Sequence, residues 1–375
     1  MLEIRWTEDG EARSARWRSE NGSPPPARVV LADDRLAAAT AYRLACEGTA
    51  LLWRGDFHAA RRLLRAMTRR ADHHATTNTS PATDSSLAHA FYRQRQARSR
   101  RAVTLGRLLV PLDPDHTVPL RRAPDVRRAC AEVYGPGTEA SVTSLRELLG
   151  IIGAYEWRRK GVEVPALNDR IHPHYGVFSP VRGEYVDLVA RAPLVSRAGA
   201  FDVGTGTGVL AAVLARRGVE RLVATDRDPR AVACARDNLR RLDLDGRVDV
   251  RHADLFPPGR APLVVCNPPW LPAEPASPLD HAVYDPGSRM LRGFLDGLDE
   301  HLEPEGEAWL ILSDLAERLA LRTRAELLSA FATAGLRVVG RLQTRPRHPR
   351  ASDESDPLHA ARASEITSLW RLRRT

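Results

Sequence analysis

Gly199-Ala-Phe-Asp202-Val-Gly204-Thr-Gly206-Thr-Gly208 is a short apolar run that breaks into three alternating glycines, and residues 209–217 behind it read as a helix. Glycine lets a chain turn tightly and approach a ligand closely, and the unpaired N–H groups of a helix start face polar groups. The stretch therefore predicts strand, loop and helix, the opening unit of an α/β sheet. A dinucleotide fingerprint would need a third glycine where Val209 stands. Residues 221–225 form the next strand and end at Asp226, about 20 residues past the loop, where a carboxylate can hold both hydroxyls of a ribose.

Further out, residues 229–241 read as a helix and 248–251 as a strand that runs into His252-Ala-Asp254-Leu-Phe256. The apolar run 261–266 suits a buried parallel strand, and it delivers Asn267-Pro268-Pro269-Trp270 to a strand's carboxyl end, where open α/β sheets bind ligands. Asn267 and Pro268 each precede a proline, which favours extended backbone, and neither proline has an N–H. What remains is acceptors. The Asn267 side-chain oxygen and the Pro268 carbonyl can take the two N–H bonds of a planar amino or amide group while Trp270 covers its face. Taken alone the tetrapeptide also reads as a rigid loop packed on a core; its place after a buried strand favours a site.

The Asp-x-Gly-x-Gly-x-Gly form of residues 202–208 resembles motif I of the class I S-adenosylmethionine-dependent methyltransferases. Residues 267–270 resemble the [Asn/Asp]-Pro-Pro-[aromatic] loop of those members that modify exocyclic amines of bases or side-chain amides of proteins. The likeness covers residues 172–375 and is to the small-domain group, similar to release-factor glutamine and ribosomal RNA guanine-N2 methyltransferases. It implies a Rossmann-like α/β fold, a seven-stranded class I methyltransferase sheet with one antiparallel strand near its C-terminal edge. It also implies S-adenosyl-L-methionine as cofactor, held by Asp202, Gly204, Thr205, Gly206, Gly208, Asp226, Asp254 and Asn267. In that frame Asp254 accepts the adenine amino group, although a plain turn residue at a strand end is the competing reading. Asn267, Pro268, Pro269 and Trp270 become the catalytic loop, and Phe178, in Gly176-Val-Phe-Ser-Pro180, closes over the target with Trp270. Relatives commonly carry Tyr or Phe where Trp270 stands. The implied chemistry needs no metal and no covalent nucleophile.

The rest of the chain reads as three parts: a flexible leading segment over residues 1–34, a mainly helical substrate-recruiting domain over 35–165, and the catalytic domain over 166–375. Asn21-Gly-Ser-Pro-Pro-Pro26 gives the first part its linker character. Residues 36–70 read as a helical hairpin turning at Gly55-Asp56, 71–86 as a loop carrying His73-His74, and 86–101 as an arginine-rich helix suited to RNA. Residues 108–120 suggest a short hairpin, and helices follow over 124–134 and 144–160, each ended by a glycine. A polar loop over 271–285 beside the tetrapeptide suggests a lid, and residues 344–363 an insertion rich in Arg, His and Pro.

The chain has 375 residues with a formal net charge of +9. Residues 1–165 hold 27 Lys/Arg against 19 Asp/Glu and the remainder 29 against 28, so the basic excess sits in the N-terminal part. Four dispersed cysteines form no Cys-x-x-Cys pair, and no apolar window of membrane length occurs, which suits a reduced cytoplasmic setting without membrane or metal. The expected activity is N-methylation of an amino or amide nitrogen, first of an exocyclic base amine in RNA, with ribosomal RNA preferred. The alternative is the N5 of a glutamine in a ribosomal or translation-factor protein. Behind these stand DNA adenine-N6 methylation and a non-catalytic recruitment module.

Overall fold

The computed structural model describes residues 2–77, 86–275, 278–346, 356 and 358–375. Contacts divide the chain into two units, residues 1–85 with 92–156 and residues 86–91 with 157–375.

The first unit is an α/β body. Its strands are β1 (Glu3–Glu8), β2 (Glu11–Arg18), β3 (Arg28–Ala32), β4 (Thr49–Trp53), β5 (Leu108–Leu112) and β6 (Ser141–Ser144), forming one sheet in the order β1-β2-β6-β5-β4-β3. The helices are α1 (Ala38–Cys46), α2 (Phe57–Thr77), α3 (Leu87–Leu105), α4 (Arg127–Tyr134) and α5 (Leu145–Lys160). The expected helices over 86–101, 124–134 and 144–160 are present, but a mainly helical domain is not what forms, because a six-stranded sheet runs through it. Residues 1–34 are likewise no unstructured leader: β1 and β2 pair across Asp9-Gly10, whose φ values of 53° and 81° make the two-residue turn that matches strand twist. The helical hairpin over 36–70 is interrupted by β4, all five of whose residues are buried. A short apolar run carries no period that separates buried strand from buried helix. His73 lies in α2 and not in a loop, residues 78–85 of the expected loop lie outside the described residues, and residues 117–120 form no strand partner for β5. Asp56 begins α2, its carboxylate accepting from the backbone N–H of His58 and Ala59 and from Arg122, which holds it well below the ordinary carboxylate range.

The second unit starts with a small antiparallel pair, β7 (Val162–Val164) and β8 (Asp169–Ile171), followed by α6 (Glu184–Arg191). Then come β9 (Ala200–Val203), α7 (Val209–Arg216), β10 (Leu222–Asp226), α8 (Pro229–Arg241), β11 (Val248–His252) and β12 (Ala261–Cys266). α9 (Arg289–His301), β13 (Leu302–Ser313), α10 (Leu315–Arg318), α11 (Arg324–Thr333), β14 (Leu336–Thr344), α12 (His359–Ala363) and β15 (Thr367–Arg374) complete it. The seven strands lie in the order β11-β10-β9-β12-β13-β15-β14, with β15 antiparallel to both its neighbours. This is the expected Rossmann-like seven-stranded sheet. The single helix expected over 315–334 is two, α11 starting anew with a Thr323/Glu326 capping box. Part of the 344–363 insertion, residues 347–355 and 357, lies outside the described residues.

β9 and β12 are each buried along nearly their whole length, and α7, apolar on every side, packs into the same core as α6 and α8. The chain leaves β9 towards β10 and β11 on one side and returns to β12 and β13 on the other. That reversal places a crevice at the carboxyl ends of β9 and β12, the general ligand position of such sheets.

Candidate active site

Val203 is the partner of Cys266 in the β9–β12 ladder and of Thr225 in β9–β10, so the glycine loop, Asp226 and Asn267 start at one level along the sheet. The loop backbone is left-handed at Gly204, Gly206 and Gly208, with φ values of 73°, 57° and 81°. Side chains with a Cβ rarely adopt these values. Gly204 and Thr205 both donate to the Thr225 carbonyl, and the Gly208 N–H to that of Thr205, which fixes the turn. A Cβ on Gly208 would press on the Ala235 backbone at 3.2 Å, whereas one on Gly206 would meet nothing within 4 Å. Gly208 is therefore required by helix packing, and Gly206 borders open space.

Asp226, at the end of β10, takes the Gly206 N–H on one carboxylate oxygen and the Asp228 N–H on the other, each at 2.9 Å. Burial pushes its carboxyl above the ordinary value. Asp202 is buried, and one of its oxygens takes the Thr205 hydroxyl at 2.6 Å and the Ala211 N–H at 3.1 Å. It ties the loop to the first turn of α7. Asp254 is exposed just past β11, and its neighbour Leu255 is held at φ 71° with its carbonyl accepting from the Thr225 hydroxyl.

At the end of β12, Pro268 is buried and Asn267, Pro269 and Trp270 are half-buried. The Trp270 indole N–H donates to the Asn267 side-chain oxygen at 3.0 Å. Asn267 thus presents a carbonyl oxygen towards the aromatic side of the loop, where it already accepts the indole N–H.

Residues 170–321 match the family described as methyltransferase small domain. That part of the chain is similar to the methyltransferase small domain. Among its relatives, a release factor glutamine methyltransferase of Cereibacter sphaeroides is 31% identical over 180 residues, covering 44% of this chain and 63% of that protein. A tRNA1(Val) (adenine(37)-N6)-methyltransferase of a Shewanella species is 29% identical over 143 residues, 36% of this chain and 60% of that protein. A ribosomal protein L11 methyltransferase of Pelotomaculum thermopropionicum is 48% identical over 69 residues, covering 18% and 22%. The chain thus spans less than two thirds of the length of these curated relatives. The solved ribosomal protein L11 methylase of Lactobacillus delbrueckii subsp. bulgaricus aligns with 17% identity and a TM-score of 0.38, over 56% of this chain and 87% of that one.

The glycine loop, Asp226 and residues 267–270 lie together at the carboxyl ends of β9, β10 and β12, with Asp254 one strand further out. Phe178 precedes α6 and packs, half-buried, on the core cluster that Trp270 also touches. S-Adenosylmethionine is the cofactor of this family, and the residues fit it: three left-handed glycines, room in front of Gly206 and a strand-end carboxylate form a cradle of the needed kind. Among the described residues no group of three His, Cys, Asp or Glu side chains could hold a metal ion.

One part of the site is not visible in the motifs. The Arg182 guanidinium lies over the Trp270 ring at 5.3 Å while donating to Glu184 at 2.9 Å and Glu365 at 3.0 Å, both carboxylates being buried. Glu365 also accepts the Ser313 hydroxyl at 2.6 Å. The start of α6, the end of β13 and the approach to β15 therefore converge on the back of the indole. No local pattern announces a pair 183 positions apart. The 271–285 loop is pinned at its base, Leu271 donating to Val283 and Asp285 to Leu271, while the Asp285 carboxylate caps α9 through the N–H groups of Met290 and Leu291.

Proposed function

We propose that the protein is an S-adenosylmethionine-dependent N-methyltransferase that modifies an exocyclic amine of an RNA base. The observation that carries the chemistry is the Asn267 oxygen accepting an N–H at 3.0 Å at the carboxyl end of β12. An acceptor shaped for one planar N–H donor suits another of the same kind. The Gly204–Gly208 loop and Asp226 would hold the cofactor, Asp226 through its remaining lone pairs, and Asp254 would take the adenine amino group.

The bound cofactor supplies an electrophilic methyl group. The Asn267 oxygen and the Pro268 carbonyl accept the two N–H bonds of the target nitrogen, which draws its lone pair out of conjugation. Trp270, held from behind by Arg182, covers the target's face. Alignment and fixed dipoles of this sort contribute a few kcal/mol without any covalent step by the protein. RNA is favoured by the basic excess of residues 1–165 and by the arginines of α2 and α3. A protein glutamine is the second reading, supported by the likeness to a release factor glutamine methyltransferase, which has the longest aligned span of the relatives named above.

The test is transfer of labelled methyl from S-adenosylmethionine into a fractionated lysate by wild type and Asn267→Ala. Counts removed by ribonuclease and missing with the variant are expected. Counts removed only by protease would move the target to a protein amide, and counts equal in both proteins would remove Asn267 from the reaction.

A further inference from the structure

α2 is 21 residues long and carries five arginines against a single acid, Asp72. Its inner face, with Ala60, Leu63, Leu64 and Met67, is buried. Arg62, Arg65 and Arg69 lie on the outer face at helical spacing and are exposed. By contrast, on α3 the arginine Arg101 is committed to Asp72 at 2.7 Å, and Arg93, Arg95 and Arg98 have interactions of their own. The arginine stripe adjoins a groove of about 470 Å³ between α2 and α5, with Arg61 and Arg65 at its rim and Leu64, Leu149 and Ile152 among its apolar walls. The same groove is lined by Gly153, inside α5; one turn earlier stands Gly150, and a Cβ on either would meet nothing within 4 Å. Glycine is a poor choice inside a helix, and here no neighbouring side chain or backbone explains it.

We infer that this groove binds a single strand of RNA, its phosphates on the α2 arginines and a base against the apolar wall over Gly153. Charge complementarity selects the occupant: a positive stripe follows a backbone, and an apolar face of this size takes a planar base whatever its sequence. The inference rests on the RNA reading of the target and adds to it a docking surface in the first unit.

The measurement is fluorescence anisotropy of a labelled oligouridylate of about 16 nucleotides, titrated with the full-length protein at several salt concentrations. Wild type is compared with Arg62→Gln/Arg65→Gln/Arg69→Gln and with Gly153→Leu, each checked for unchanged circular dichroism. Loss of three phosphate contacts lowers the slope of log affinity against log salt by about 2. Gly153→Leu, which fills open space, weakens binding several-fold at an unchanged slope. Both variants binding like wild type would overturn the groove, even if RNA is methylated. Tighter binding of a poly-glutamate peptide than of the oligonucleotide, lost in the triple variant, would assign the groove to an acidic protein instead. RNA binding lost in both variants while methyl counts enter only protein would uphold the groove and defeat the RNA target.

Discussion

At residue 270 the feature absent from a Phe is the indole N–H. The indole N–H donates to Asn267, the acceptor proposed for the target amine. A net hydrogen bond contributes about 1 kcal/mol, so Trp270→Phe should lower the apparent KM for the methyl acceptor by roughly fivefold, while Trp270→Ala should lose turnover along with the covering ring. Steady-state kinetics at saturating cofactor reads both; a raised KM in Trp270→Phe would show that the indole bond orients Asn267 and does not compete for it. Asp202 sets a pH dependence. Burial raises its carboxyl to about 6, against about 4 in an unfolded chain. Between those values the folded protein keeps a proton that the unfolded chain has released, so stability falls as pH rises from 4 to 6 and is level above. Asp202→Asn, which keeps an oxygen for Thr205 and Ala211, should flatten that part of the curve by about 3 kcal/mol in denaturant melts of the second unit.

At the level of elements, the buried cluster of Arg182, Glu184 and Glu365 ties α6 to β15 and supports the loop after β12. Arg182→Met would leave two buried carboxylates without their cation, a change of about 3 kcal/mol or more, where replacing a whole buried pair by apolar groups is often neutral. Thermal unfolding should show a clear drop in Tm, and adding Glu365→Gln should restore part of it. If Arg182→Met melts like wild type, the cluster does not brace the loop. Elements also differ in how far the sequence disclosed them. β9 and β12 were legible because parallel strands buried on both faces read as apolar runs punctuated by glycine and proline, whereas β11, the exposed edge strand, was legible from its place after α8. β4 is the same kind of run, yet between Gly48 and Gly55 it reads equally as the end of a helix. β1 and β2 were hidden by charge: as a hairpin at the sheet edge they alternate Arg and Glu with Ile4, Trp6 and Trp17, and only the Asp9-Gly10 turn marked them.

Over the whole molecule, the two units differ in how their sites could be read. The loops of the candidate site were legible because they depend on backbone shape, and backbone shape is written in glycine and proline at fixed places. The bonds of Asp202 to Thr205 and Ala211 were not legible because sequence cannot say which way a carboxylate turns, and Arg182 was missed because its partners come from distant elements. In the first unit, the basic excess was visible while the surface that concentrates it was not, since that depends on which arginines find acids in the fold. The central claim is a division of labour between the cofactor cradle after β9 and β10 and the acceptor loop after β12. It is tested by calorimetric titration of S-adenosylmethionine into wild type, Asp226→Ala and Asn267→Ala, with methyl transfer measured on the same preparations. The account predicts that Asp226→Ala loses roughly tenfold or more in affinity, as expected for charged hydrogen bonds, while Asn267→Ala binds like wild type and loses about a hundredfold in transfer. Equal loss of affinity in both variants, or no binding by the wild type, would contradict it.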